Sequence, residues 1–193
     1  LMIIKNDLSQ TFFVVEEDRP SGPIFQAINT ILSLKEFTKE EEIVLVSPSI
    51  YADKLTKKLK IKHKKIYMQR FSSANLLSYL IMFPIDLLRI FYLFLNSNFN
   101  KVLIFGNFWM VRTLIISILY KFINKNIKVY VRINDSNPSF YTKIIAKLSS
   151  SLIDGVIYNS YRTKKNYQFL FNIRKSLVLP STISPKSIVP KND

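Results

Sequence analysis

The sequence predicts one α/β domain: a mostly parallel sheet of about seven strands covered by helices on both faces. Three observations carry that expectation. Short β-branched and aromatic runs alternate with longer helical stretches along the chain. Most of these runs are continuously apolar, as strands covered on both sides are. A length of 193 residues at 48% hydrophobic composition is enough for one domain with its own core.

Strands are expected at Thr11–Val15, Glu42–Val46, Lys65–Phe71, Lys101–Phe105, Lys128–Ile133, Asp154–Tyr158 and Ser176–Leu179. Helices are expected at 23–37, 50–60, 73–96, 109–124, 139–152 and 161–172, which makes a series of βαβ units. In the first helix Pro23 suits the opening turn, and Ile24, Ile28, Ile31 and Leu32 recur at helical spacing. Segment 109–124 is apolar nearly all round and is expected to be buried against the sheet. Ser139 follows Pro138 and caps the next helix, whose Ile144, Ile145 and Leu148 form one stripe. Ser160 caps the last helix, which exposes Arg162, Lys164 and Lys165. Residues 1–180 thus form a three-layer, Rossmann-like α/β/α domain, and the Ser/Pro-rich stretch 181–193 reads as a linker.

Segment 73–96 supports three readings. It holds about enough apolar residues to span a bilayer. Pro84, Asp86 and Arg89 near its middle argue instead for a core helix or one lying in a membrane interface. Asp86 and Arg89, three apart, can pair on one helix face. The preceding run Lys54, Lys57, Lys58, Lys60, Lys62, Lys64 and Lys65 is of the kind that holds anionic lipid.

The formal charge is +15, unevenly placed: residues 1–53 carry 4 basic and 9 acidic side chains, and 101–193 carry 15 and 3. A basic body predicts an anionic partner: phosphate, nucleic acid or an acidic membrane surface. With no Cys and one His, no all-protein zinc site or iron–sulfur cluster can be built, and no metal ligands are assigned. Gly22, Gly106 and Gly155 are too scattered for a dinucleotide or P-loop glycine motif. His63, between Lys62 and Lys64, reads as a solvated loop residue, so Ser–His–Asp chemistry is rejected. Only four acids lie beyond residue 53, which gives little support for paired-carboxylate glycoside hydrolysis. The first residues show no signal-peptide pattern, and the lack of Cys fits a cytoplasmic location.

Ligands of open parallel sheets bind beyond the carboxyl ends of the strands. After the first strand, the loop Glu16–Gly22 leads into a helix N-terminus, where Ser21 and Gly22 suit an anion or sugar hydroxyls. Gly106-Asn107-Phe108-Trp109 follows the fourth strand; the Asn107 amide can hydrogen-bond and Trp109 can stack on a sugar-like ring. Asn134-Asp135-Ser136-Asn137 is the densest polar cluster at any strand end, with Arg132 just before it. A plain turn, a core aromatic and an Asx-turn would read the same way at these three places. Asn159 and Ser160 follow the sixth strand, where a helix cap is the competing role.

The stretch Ile153-Asp154-Gly155-Val156-Ile157-Tyr158-Asn159-Ser160, then Arg162-Thr163-Lys164-Lys165, resembles a pattern of the retaining GT-B glycosyltransferases of the group 1, family 4 type. Leu177-Val178-Leu179-Pro180 resembles the strand leading to that family's interdomain linker, and Pro20-Ser21-Gly22 its glycine-bearing first loop. The chain departs from the family in having one glycine in that loop, Asn134-Asp135 where members often carry His, and Ser181-Thr182 for Asn-Gly. The resemblance implies the N-terminal, acceptor-binding half of such an enzyme. Asn134 and Asp135 would be catalytic, with Ser21, Gly22, Asn107, Trp109, Arg132, Asn159 and Ser160 around the acceptor. It also implies that this chain binds no cofactor itself. The nucleotide sugar would sit in a C-terminal domain, reached through linker 181–193 or supplied by a separate subunit. The partners implied are a glycan or lipid-phosphate-linked acceptor and the inner face of an anionic membrane. Two other classes remain: a non-catalytic Rossmann-like assembly module, and a nucleic-acid binder with Tyr and Phe as stacking platforms, which no recognised module supports.

Overall fold

The computed structural model describes residues 10–37, 42–68, 76–106, 111–134, 137–171 and 176–180. The predicted linker 181–193 lies outside them. The apolar runs form β1 (Gln10–Val14), β2 (Glu42–Ser47), β4 (Phe99–Phe105), β5 (Lys128–Ile133), β6 (Gly155–Tyr158) and β7 (Ser176–Val178), with β3 at Lys62–Lys65. The helices between them are α1 (Gly22–Phe37), α2 (Ile50–Lys58), α3 (Leu76–Leu95), α4 (Val111–Ile123), α5 (Phe140–Ser149) and α6 (Tyr161–Tyr167).

All the strand pairs are parallel, in the order β3-β2-β1-β4-β5-β6-β7. The chain winds outward from β1 in one direction and then restarts at β4 in the other. Right-handed crossovers therefore put α1 and α2 on one face and α3 to α6 on the other. The switch point is the β1/β4 boundary, where such sheets open a crevice at their carboxyl edge.

The core forms on both sides of β1. Phe12 stacks on Phe99 (4.5 Å between centroids) and meets Phe94 of α3, which packs edge-on against Tyr120 of α4. Phe13 points the other way and meets Phe105. In α1, Ile24, Ala27, Ile28 and Ile31 are buried, as the spacing requires. Ser139 and Ser160 accept hydrogen bonds from the backbone N–H of Thr142 and Thr163, so both predicted caps form.

Three expectations are corrected. The third strand is Lys62–Lys65, ahead of the predicted 65–71; residues 66–68 follow outside it and 69–71 lie outside the described residues. This edge strand is chosen by its pairing with β2, and its charged side chains suit an edge. Helix α4 is not buried all round, because Leu119, Phe122 and Ile123 at its end are exposed. Helix α5 buries Thr142, Ala146 and Ser149, small residues that allow close approach, and leaves Ile144 and Leu148 exposed. Of the three readings of 73–96, the span is disfavoured by its central Pro84, Asp86 and Arg89, and no helix among the described residues is long and apolar enough to cross a membrane.

Helix α3 is two-sided. Asp86, Ile90 and Phe94 face the core, while Leu77, Ile81, Ile85, Leu88 and Tyr92 form a continuous exposed apolar stripe at helical spacing.

Candidate functional site

Each parallel strand delivers its next residues to the same edge of the sheet. In the order β1, β4, β5, β6 these are Glu16–Gly22, Gly106, Asn134 and Asn159–Ser160. Neighbouring strands lie about 4.8 Å apart, so β1 and β5 are separated by about 10 Å there. Asn107, Trp109 and Asp135 lie outside the described residues.

Asn134 carries the most telling geometry. Its side-chain Oδ1 and Nδ2 are both shielded from solvent and have no hydrogen-bond partner among the described residues. Ser21 Oγ, at the entry to α1, is in the same state, while its carbonyl accepts from Phe25 N–H at 3.2 Å. A Cβ at Gly22 would meet nothing within 4 Å, so the chain's own packing does not demand glycine there. Gly106 has φ 125°, which does suit glycine.

The other predicted residues serve the frame. Arg132 is buried, donates from Nη2 to the Leu179 carbonyl (3.1 Å) and lies over the Phe105 ring, tying the end of β5 to the exit from β7. Desolvation lowers its pKa from the ordinary arginine value. Asn159 donates from Nδ2 to the Asn134 carbonyl and accepts at Oδ1 from Thr163 Oγ1, using both ends of its amide. Ser160 caps α6.

Beneath this edge lies a buried ionic network that sequence reasoning found only in part. Arg112 donates from Nε to Glu16 (2.8 Å) and from Nη1 to Asp86 (2.7 Å). Glu16 also accepts from Thr113 N–H at 2.7 Å, and Asp86 from Arg89 at 3.2 Å. The pairing of Asp86 with Arg89 was expected; Glu16 and Arg112, 96 positions apart, were not. Their sequence signal is a carboxylate ending an apolar strand and an arginine in an apolar helix. The network locks the loop after β1 to the start of α4.

His63 is a further correction. Its side chain is 4% exposed, with Nε2 3.0 Å from Ser47 Oγ and Nδ1 3.2 Å from Asp53 Oδ1. The partners of a Ser–His–Asp triad are therefore present. Ser47 is fully buried, so no substrate carbonyl can reach it, and the constellation acts as a strut between β2, β3 and α2. The Asp53 carboxyl is held below its ordinary value by hydrogen bonds from Lys57 and His63.

Among the described residues no group of His, Cys, Asp or Glu is arranged to hold a metal ion. On the far side of the Glu16–Gly22 loop, an open groove of about 650 Å³ lies at the ends of β2 and β3 against the first half of α3.

No protein-family model matches the sequence, and no curated protein matches it. Solved structures do. The chain is similar to MurG from Acinetobacter baumannii with TM-score 0.62 at 12% identity, over 96% of this chain and 50% of that one. The fold is GT-B-like. A UDP-N-acetylglucosamine 2-epimerase superposes with TM-score 0.55 at 14% identity, over 83% of this chain and 44% of its own. A UGT transferase from Siraitia grosvenorii in complex with UDP gives TM-score 0.53 at 10% identity, over 95% and 52%. The chain thus spans about half the length of the structures it matches. Because these GT-B-like neighbours include an epimerase and a transferase, the fold by itself does not select a reaction.

Proposed function

We propose that this chain is the acceptor-binding half of a retaining glycosyltransferase that builds cell-surface or lipid-linked glycans. The observation that carries the reading is the Asn134 amide at the sheet edge, shielded from solvent and, like Ser21 Oγ at the entry to α1, without a hydrogen-bond partner among the described residues. Leaving such a group unmatched costs about 1–3 kcal/mol, and a hydroxyl-rich ligand would satisfy its donor and its acceptor together. In this reading Asn134 orients the acceptor hydroxyl, Asp135 takes its proton, and Gly22, Asn107 and Trp109 shape the remaining pocket. Arg132, Asn159 and Ser160 hold the strand ends in place. The nucleotide sugar belongs to a second domain, reached through 181–193 or borne by a partner subunit. That domain supplies the donor-phosphate stabilisation. The exposed apolar stripe of α3 and the basic body support a position at the cytoplasmic face of an anionic membrane.

The test is to assay nucleoside diphosphate release from a panel of nucleotide sugars, using the native full-length protein or its co-expressed partner together with membrane lipid acceptors. Asn134→Ala should cut turnover about a hundredfold, the scale of a lost transition-state contact, with no fall in Tm, since the unmatched amide is removed with it. Absence of release in every combination would sink the reading. A second reading, a non-catalytic assembly module, draws on Asn159 and Ser160, whose side chains are committed to bonds within the fold. It predicts a stable complex and no transfer.

A further inference from the structure

We infer that the groove beside α3 is a binding site for the phosphate head of a single lipid-linked ligand, whose hydrocarbon lies along the exposed face of α3. The inference rests on the acceptor reading above and assigns that acceptor's anionic anchor to residues outside the Asn134 crevice.

The groove joins polar and apolar chemistry in the order an amphiphile needs. Its walls include Lys65, Arg89 and Asp18, with Tyr67, Met68 and Met82 as apolar surface. Its volume of about 650 Å³ suits one head group and falls within the usual range of small-molecule sites. A bilayer surface, being flat, has no use for such a concavity. Lys65 is exposed at the end of β3, and its side chain makes no bond among the described residues. Arg89 is 43% exposed and held in place: Nη1 donates to the Tyr67 carbonyl (3.3 Å) and to Asp86, with the guanidinium 5.7 Å from the Tyr67 ring centre. That single nitrogen makes both bonds, and among the described residues the rest of the fork has none, a state that suits an anion. Asp86 is itself shared with Arg112, so it does not belong to Arg89 alone. Asp18, which also lines the groove, opposes an anion there.

Around α3, the groove-lining face of Ser78, Met82 and Arg89 adjoins the stripe of Leu77, Ile81, Ile85, Leu88 and Tyr92. A phosphate in the groove therefore places its tail on that stripe. Its other end points across the Glu16–Gly22 loop, one strand over, toward the β1/β4 crevice.

The probe is dodecyl phosphate below its micelle concentration, titrated calorimetrically into the full chain, with inorganic phosphate and dodecyl maltoside as head-only and tail-only controls. Dodecyl phosphate should bind at least about tenfold tighter than either. Lys65→Glu should weaken it about tenfold or more, Asp18→Asn should strengthen it, and Leu88→Ser should weaken it while leaving inorganic phosphate unaffected. Equal binding of dodecyl phosphate and dodecyl maltoside, or indifference to both Lys65→Glu and Asp18→Asn, overturns the site. Vesicle sedimentation separates the sources of phosphate. Phosphatidylcholine vesicles doped with dodecyl phosphate should recruit the protein in a Lys65-dependent way. Recruitment only by phosphatidylglycerol vesicles means bulk head groups and overturns the inference. None of these readouts requires sugar transfer, so the site can fail while the acceptor reading stands, and the reverse.

Discussion

Replacing Arg112 with Met should be the most damaging single change to the polar interior. Methionine fills most of the same volume, so the damage is electrostatic. Two buried carboxylates, Glu16 at 2.8 Å and Asp86 at 2.7 Å, lose their shared cation. Removing one partner from a buried pair costs about 3–5 kcal/mol. Glu16 keeps the Thr113 N–H and Asp86 keeps Arg89, which places the expected loss near the lower end, about 3 kcal/mol. For a chain of this size each kcal/mol moves Tm by about 2–4 °C, so a fall of about 6–12 °C follows. Circular dichroism melts at pH 7 measure it, with urea titrations that should show a lower midpoint at unchanged slope. The triple variant Glu16→Gln, Asp86→Asn, Arg112→Met should recover part of the loss, because it leaves no unpaired charge behind. A single variant melting within about 2 °C of the parent, or a triple variant less stable than the single, would refute the assignment of this network as an interdependent unit.

Three further outcomes follow from particular side chains. Burial alone would raise the Asp154 carboxyl, but Lys121 at 2.6 Å and the Val129 N–H hold it below its ordinary value. Its contribution is therefore present above the unfolded value of about 3.9 and is lost as pH falls through the lower folded value. Asp154→Asn should lower Tm at pH 7, with the gap closing in acid; a gap that stays constant down the acid limb contradicts this. Burial pushes the Tyr158 phenol up to about 12. Stability should thus decline as pH climbs from the unfolded value of about 10 through that point, and Tyr158→Phe should flatten the alkaline limb. Identical alkaline limbs in the two proteins would count against it. Because Ser47 is fully buried, a fluorophosphonate probe should leave the folded protein unlabelled, and mass-spectrometric detection of an adduct at Ser47 would overturn its role as a strut.

What could be read from the sequence alone was local. Continuous apolar runs such as Glu42–Val46 and Lys128–Ile133, and serines placed before helical stripes, depend on neighbours within a few residues. They yielded the parallel α/β class and the two caps. The rule for open sheets then named Asn134 and Ser21, because a strand's carboxyl end is a sequence property once the strand is known. What escaped depends on partners distant in the chain. Lys62–Lys65 is a strand because Val44–Ser47 lies alongside it, despite a more β-prone run just downstream. Helix α5 turns its small residues Thr142, Ala146 and Ser149 inward, a choice that the spacing of its large apolar residues does not encode. His63, flanked by lysines, reads as solvated until β2 and α2 close over it.

The order of strands and helices, the basic balance and the polar residues at the strand ends were thus determined by the sequence itself. The tertiary structure decided which of those polar groups are bonded within the fold and which have no partner among the described residues. Hydrogen-bond satisfaction belongs to groups that meet in space. Asn159 and Asn134 carry the same amide. One has both ends used by the chain and the other has neither end used among the described residues.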